Sequence, residues 1–188
     1  MIEKERTFGA PWSASVWAIT ALFCIVVLPA VVVAVVMICN RAGTDGAPEG
    51  LLFLVAGIPT AIVVLCILCA PREYRITEDS VLVKRFGPDI SIPLDAIASV
   101  AEIPKKELGL TIRLFGSGGF LGSFGVFFGS RVGLAYAYVT DAARLVLLEC
   151  CDGRRYLLSP DTPSVFVREV QTALEVRCED DERSAACE

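Results

Sequence analysis

The chain has 188 residues, 54% of them hydrophobic, with 17 basic against 22 acidic side chains, a net charge of −5 and no histidine. A net-negative chain with no dense basic cluster offers no cationic face to neutralise phosphates, which argues against nucleic acid as a partner. The lack of histidine removes the commonest general base and metal ligand, and with it Ser-His-Asp and Cys-His arrangements.

A short N-terminal segment, residues 1–14, expected to be cytoplasmic, leads into two apolar runs, 15–39 and 51–70, and neither run carries a charged residue. About 20 apolar residues in a helix cross the roughly 30 Å hydrocarbon core of a bilayer. Both runs are therefore expected to span, as a two-helix transmembrane hairpin closed outside by residues 40–50. Basic residues near span ends set orientation. Lys4 and Arg6 precede the first run, Arg72, Arg75, Lys84 and Arg85 follow the second, and Arg41 alone lies between them. That bias predicts a multi-pass protein of the cell membrane with both termini cytoplasmic. The first run is too long for a signal peptide and a second follows it directly. Pro29 and Pro59 read as kinks that membrane helices tolerate. Trp12 and Trp17 suit the headgroup zone.

The eight cysteines do not form a disulfide framework: Cys24, Cys39, Cys66 and Cys69 lie in or at the spans, Cys150 and Cys151 are adjacent, and Cys178 and Cys187 lie near the end. A cytoplasmic domain keeps such thiols reduced. Cys66-x-x-Cys69 has metal-ligand spacing but no second pair, so it reads as membrane packing.

From Pro71 apolar and polar residues alternate. Glu73–Thr77 and Ser80–Phe86 read as strands around a turn at 77–80. Ile90–Ile92, Ile97–Ile103, Leu134–Thr140, Leu145–Cys150 and Arg154–Leu158 follow, the last two joined by a hairpin turn with Gly153. Thr162-Pro163 starts a helix whose apolar stripe is Phe166, Val170, Ala173 and Leu174. About seven antiparallel strands capped by one C-terminal helix form an α+β domain over residues 71–178. Glu179–Glu188 reads as an acidic, disordered tail.

Several pieces carry a resemblance: Tyr74-Arg75-Ile76-Thr77, Val81-Leu82-Val83, Ile92-Pro93-Leu94 and Ile97-Ala98-Ser99-Val100, then Arg113-Leu114-Phe115-Gly116, Tyr138-Val139-Thr140 and Ser159-Pro160-Asp161. In this order and spacing, residues 72–176 resemble bacterial pleckstrin-homology-like (PH-like) domains, which often follow a pair of membrane spans. The resemblance implies a strongly bent seven-stranded sheet or barrel capped by a helix, and no enzymatic activity.

An insertion at 109–133 holds eight of the fifteen glycines and five of the ten phenylalanines. A phosphate-binding loop needs Lys and Ser/Thr after its last glycine. Phe120-Leu121 stands there instead, so no nucleotide is expected. The insertion is either a core flap or a membrane contact. For the second reading the candidate membrane or partner contacts are Arg113, Phe120, Phe124, Phe127 and Arg131. Glu78-Asp79 lies in a solvated turn, and Cys150-Cys151 sits beside Glu149 and Asp152, which raise a thiol pKa. No catalytic residue, cofactor site or metal site is expected. The expected function is a non-catalytic binding or scaffolding module, integral to the bilayer, that engages a protein partner or its own copies. The alternative is an accessory subunit of a membrane enzyme or transporter complex, with Ala56, Gly57 and Ala61 as a helix-packing face.

Overall fold

The computed structural model of the chain describes residues 6–45 and 53–185. Strand β1 (Arg6–Gly9) leads into helix α1 (Ala14–Asp45). A π-helical turn (Phe53–Gly57) then runs into α2 (Ile58–Cys69). Ten strands in all precede a final helix: β2 (Pro71–Ile76), β3 (Ser80–Arg85), β4 (Ile90–Pro93), β5 (Ile97–Ile103), β6 (Thr111–Gly118), β7 (Ser123–Gly129), β8 (Gly133–Val139), β9 (Leu145–Cys150), β10 (Arg155–Leu158) and α3 (Pro163–Ala185).

The expected pair of spans is realised unequally. Ala14–Asn40 of α1 is long and apolar enough to cross a bilayer, and it is the one such helix among the described residues. The second run becomes the π-helical turn and the twelve-residue α2, which alone measures about 18 Å. The break has a local cause. Pro59 occupies the first turn of α2, where its missing N–H is harmless, but further along it would interrupt the i→i−4 ladder. Instead of two helices of spanning length, the described residues hold one helix long enough to cross a bilayer and one short apolar helix. Of the expected outside loop, Asn40–Asp45 continue α1, and residues 46–50 lie outside the described residues, as do Leu51 and Leu52.

The strands form a sandwich-like pair of sheets, one of four strands in the order β1-β2-β3-β4 and one of six in the order β5-β9-β10-β8-β7-β6. All pairings are antiparallel except β8 with β10. Alternation works as period-2 geometry requires: Tyr74 and Ile76, then Val81 and Val83, then Ile92 point into one core with Leu94, Ile97, Val100, Val146, Leu148 and Leu158. From α3, Phe166 and Val170 close it, fully buried, with Ala173 and Leu174 partly buried beside them. A second cluster of Ile103, Ala135, Ala137, Val139, Leu145 and Leu157 lies under β8, with Phe127 packed on it. Each full burial of such a side chain contributes about 1.5–3 kcal/mol.

Ten strands stand where about seven were expected. Two of the additions, β6 and β7, come from the glycine-rich insertion. The third, β1, comes from the N-terminal segment, which is tied to the sheet: Arg6 lies opposite Ile76 and Phe8 opposite Tyr74. Phe8 is buried and meets the Phe166 ring edge-on at 5.1 Å, and Arg6 pairs with Glu169 of α3. At the other end, α3 continues through Ala185 into the tail expected to be disordered. No glycine or proline interrupts residues 164–185.

Candidate membrane-facing site

The glycine-rich insertion folds as the β6–β7 hairpin at the outer edge of the six-stranded sheet. Its register slips between Arg113 and Phe115, a bulge that bends the strand. Beyond the bulge Gly116 faces Gly125, with φ of +109° and +123°. A Cβ at Gly116 would stand 2.0 Å from the Phe124 carbonyl oxygen, and one at Gly125 2.3 Å from that of Phe115. Only glycine fits this cross-strand pair.

The hairpin tip seats on α1. The Phe120 ring lies 4.5 Å from the Phe23 ring, and the Leu121 N–H donates to Thr20 Oγ1 at 3.2 Å. At Gly119 a Cβ would come within 2.8 Å of Ile19 Cδ1. The tip also closes on itself: Gly119 N–H donates to the Gly122 carbonyl and Ser117 Oγ to that of Phe120, both at 2.9 Å.

The five predicted contact residues separate. Phe120 is half-buried against α1, Phe124 is buried, and Phe127 is half-buried on the second core cluster. Arg113 is exposed and reaches back along the strand, its Nη1 3.1 Å from where a Gly118 Cβ would be. Arg131, also exposed, lies in the turn between β7 and β8 beside Gly109, at the opposite end of the hairpin from the tip. The structure therefore brings Phe120 onto α1, leaves Arg113 beside Gly118 on its own strand, and places Arg131 at the far end of the hairpin. The residues missed are on β6 and immediately before it: Leu110, Ile112, Leu114 and Phe115 are exposed by 73, 53, 59 and 75%. Their signal was the alternation Leu110-x-Ile112-x-Leu114, masked by the glycines that follow.

The base of both helices is fastened to the sheets. Ala10 N–H donates to the Arg72 carbonyl at 3.2 Å, Ser13 N–H to that of Thr140 at 3.1 Å, and Gly87 N–H to that of Leu68 at 2.8 Å. Where α2 ends, the Arg72 guanidinium lies 4.3 Å from the ring centroid of Phe86, which is exposed. Trp12 and Trp17 meet at 4.9 Å where α1 begins. Arg72 and Arg113 form no ion pair among the described residues, whereas Arg6, Lys84, Arg144, Arg154 and Arg155 each hold a carboxylate.

Behind this face lies a buried polar knot. The Tyr74 hydroxyl donates to the Tyr138 carbonyl at 2.6 Å and accepts from Ser159 N–H at 3.2 Å, while Ser159 Oγ accepts from Thr140 N–H at 2.8 Å. Burial pushes the Tyr74 hydroxyl up from 10.0 to about 12. Every partner of the knot is matched, which buried polar groups require. Because Thr140 also accepts from Ser13, the knot links the domain core to the start of α1.

Elsewhere, Cys150 is buried, and burial raises its thiol pKa first, with Asp152 and Cys151 adding to the rise. Glu149 is paired with Arg155 at 2.8 Å. A thiol held protonated in this way is a poor nucleophile. Among the described residues no group of three potential metal ligands comes together. A groove of about 640 Å³ between the β2–β3 turn and α3 is lined by Arg6, Glu78, Asp79, Glu169 and Arg177 among others, with Arg6 on Glu169 and Arg177 on Asp79.

Neither the curated proteins nor the solved structures yield a match to the chain. The family comparison does: the Bacterial PH domain matches residues 72–174. That stretch runs from the first strand after α2 to the apolar stripe of α3, and so takes in both sheets except β1. With more than half of the sequence matched, the chain belongs to the Bacterial PH domain family.

Proposed function

We propose that this protein is a non-catalytic, membrane-anchored PH-like module that holds a binding or scaffolding surface against the cytoplasmic face of a bacterial cell membrane. The observation that carries the reading is the pairing of β1 with β2. These strands flank the whole apolar segment, and Ala10 N–H donates directly to the Arg72 carbonyl. Whatever leaves the sheet at α1 must come back to the same side by the end of α2. A span by α1 then requires a return crossing, for which the π-helical turn and α2 supply about 25 Å of apolar helix. Local thinning or tilt accommodates the shortfall against a 30 Å core.

The charge pattern supports the cytoplasmic assignment, since basic residues flank the segment and only Arg41 lies within it. The surface on offer is a protein-binding or self-association surface, with the open edge of β6 as the kind that accepts an added strand. The edge of β2 is taken by β1. A second reading, an accessory subunit of a larger membrane enzyme or transporter, draws on α2, none of whose residues is buried within the chain.

Reporter fusions test the topology. An alkaline phosphatase joined after Asp45 should be active and a green fluorescent protein joined after Glu188 should fluoresce. An inactive phosphatase after Asp45, together with fluorescence when green fluorescent protein is joined there instead, overturns the double crossing. Mild-detergent purification from native membranes separates the two roles, a homo-oligomer favouring the module and a stoichiometric larger chain the subunit.

A further inference from the structure

We infer that the tip of the β6–β7 hairpin enters the inner leaflet beside α1, making a third membrane-contacting element that does not span. The inference rests on the anchored reading above and deepens it by naming the occupant of the exposed apolar surface as lipid.

Depth follows from what the tip touches. Trp17, exposed at the start of α1, marks the headgroup level. Thr20 lies about 5 Å and Phe23 about 9 Å further along the helix. Because Leu121 bonds to Thr20 and the Phe120 ring lies against that of Phe23, the tip stands about 5–10 Å past the tryptophan, the depth at which interfacial elements bury their apolar faces.

Two independent features suit that depth. From Leu114 to Ser130 the hairpin contains no charged residue. Half of the backbone groups at the turn are paired within the tip or on α1: Gly119 N–H with the Gly122 carbonyl, the Phe120 carbonyl with Ser117 Oγ, and Leu121 N–H with Thr20 Oγ1. Each of these pairings removes a group that would be costly in hydrocarbon, and the rest of the turn is placed at the boundary, where headgroups and water can reach it. The same rule sets the limit. The outer edge of β6 is open and requires water or headgroups. So Phe120 and Leu121 reach the acyl boundary while Leu114 and Phe115 lie at the headgroups, with Arg113 placed to meet lipid phosphate.

Single-tryptophan fluorescence of the full-length protein tests this in phosphatidylcholine–phosphatidylglycerol vesicles, with bromines on the acyl chains. In a Trp12→Phe, Trp17→Phe background, tryptophan is placed by Phe120→Trp, by Phe115→Trp on the open strand surface, by Leu65→Trp in α2 and by Val176→Trp on α3. Quenching at positions 65 and 120 should exceed that at 176 by roughly twofold or more, with position 115 between them. If position 65 is quenched while 120 and 115 match 176, the hairpin stays in water and the inference is overturned with the anchor intact. If position 65 also matches 176, the anchored reading fails and takes the inference with it.

Discussion

The four-stranded sheet and the β6–β7 hairpin draw on the same apolar and aromatic residues but dispose of them in opposite ways. In the sheet, Tyr74, Val81, Val83 and Ile92 lose all or nearly all contact with solvent under Phe166 and Val170 of α3. On β6 and just before it, Leu110, Ile112, Leu114 and Phe115 face outward, and none of the described residues covers them. The first region owes its stability to packing, so its side chains are constrained by volume. The second is constrained by its backbone, through the Gly116–Gly125 pair and the closed tip, and its side chains are free to serve a surface outside the chain.

Substitutions can break that contrast at either end. The largest effect is expected from Phe166→Ala, which removes a fully buried ring lying against Phe8 and Tyr74. It should cost about 3–5 kcal/mol in denaturant unfolding of the full chain in detergent. Gly125→Ala should strain the hairpin by roughly 1–3 kcal/mol, since it forces a Cβ onto the Phe115 carbonyl at positive φ. Hydrogen exchange should then show lost protection across residues 114–127, with Tyr74 and Val83 nearly as protected as before. A comparable loss of protection in both sheets would mean that hairpin and core form one cooperative unit.

Tyr74→Phe sharpens the core side of the comparison. It leaves the Tyr138 carbonyl and the Ser159 N–H without their partner, at a cost of about 1–3 kcal/mol. The pH dependence has a definite sign. Folding raises the Tyr74 pKa, so the unfolded chain ionises first; stability is intact below pH 10 and declines as pH rises from 10.0 toward about 12. The phenylalanine variant should show a shallower decline over that window. At the small end, Leu114→Ser with Phe115→Ser should change unfolding stability by no more than about 0.5 kcal/mol, because neither side chain is packed. A loss near that of a core truncation would place the β6 face inside the fold.

Much of the sheet was legible because its strands alternate cleanly and their turns carry distinctive chemistry. Thr77 N–H donates to the Ser80 carbonyl, and Gly153 adopts a φ of +81°. The α3 stripe was readable from its 3.6-residue period. The hairpin was not, since glycine in a strand interior argues against a strand, and here the glycines are what let the two strands meet. Strand β1 escaped because four residues, Arg6–Gly9, are too few to display a period. The candidate site was readable as a segment but not residue by residue. Counting phenylalanines selected Phe124 and Phe127, which pack inward, and passed over the exposed row on β6.

By itself the amino-acid order determined the apolar segment, the strand-and-helix alphabet of the domain and its membership in a family, because these rest on local composition and periodicity. Only the tertiary structure decided that the N-terminal residues join the sheet beside Arg72 and that the insertion leans on α1 at Thr20 and Phe23. Both depend on contacts between positions far apart in sequence, whose partners no local pattern names, and which form only when the chain is closed into two sheets.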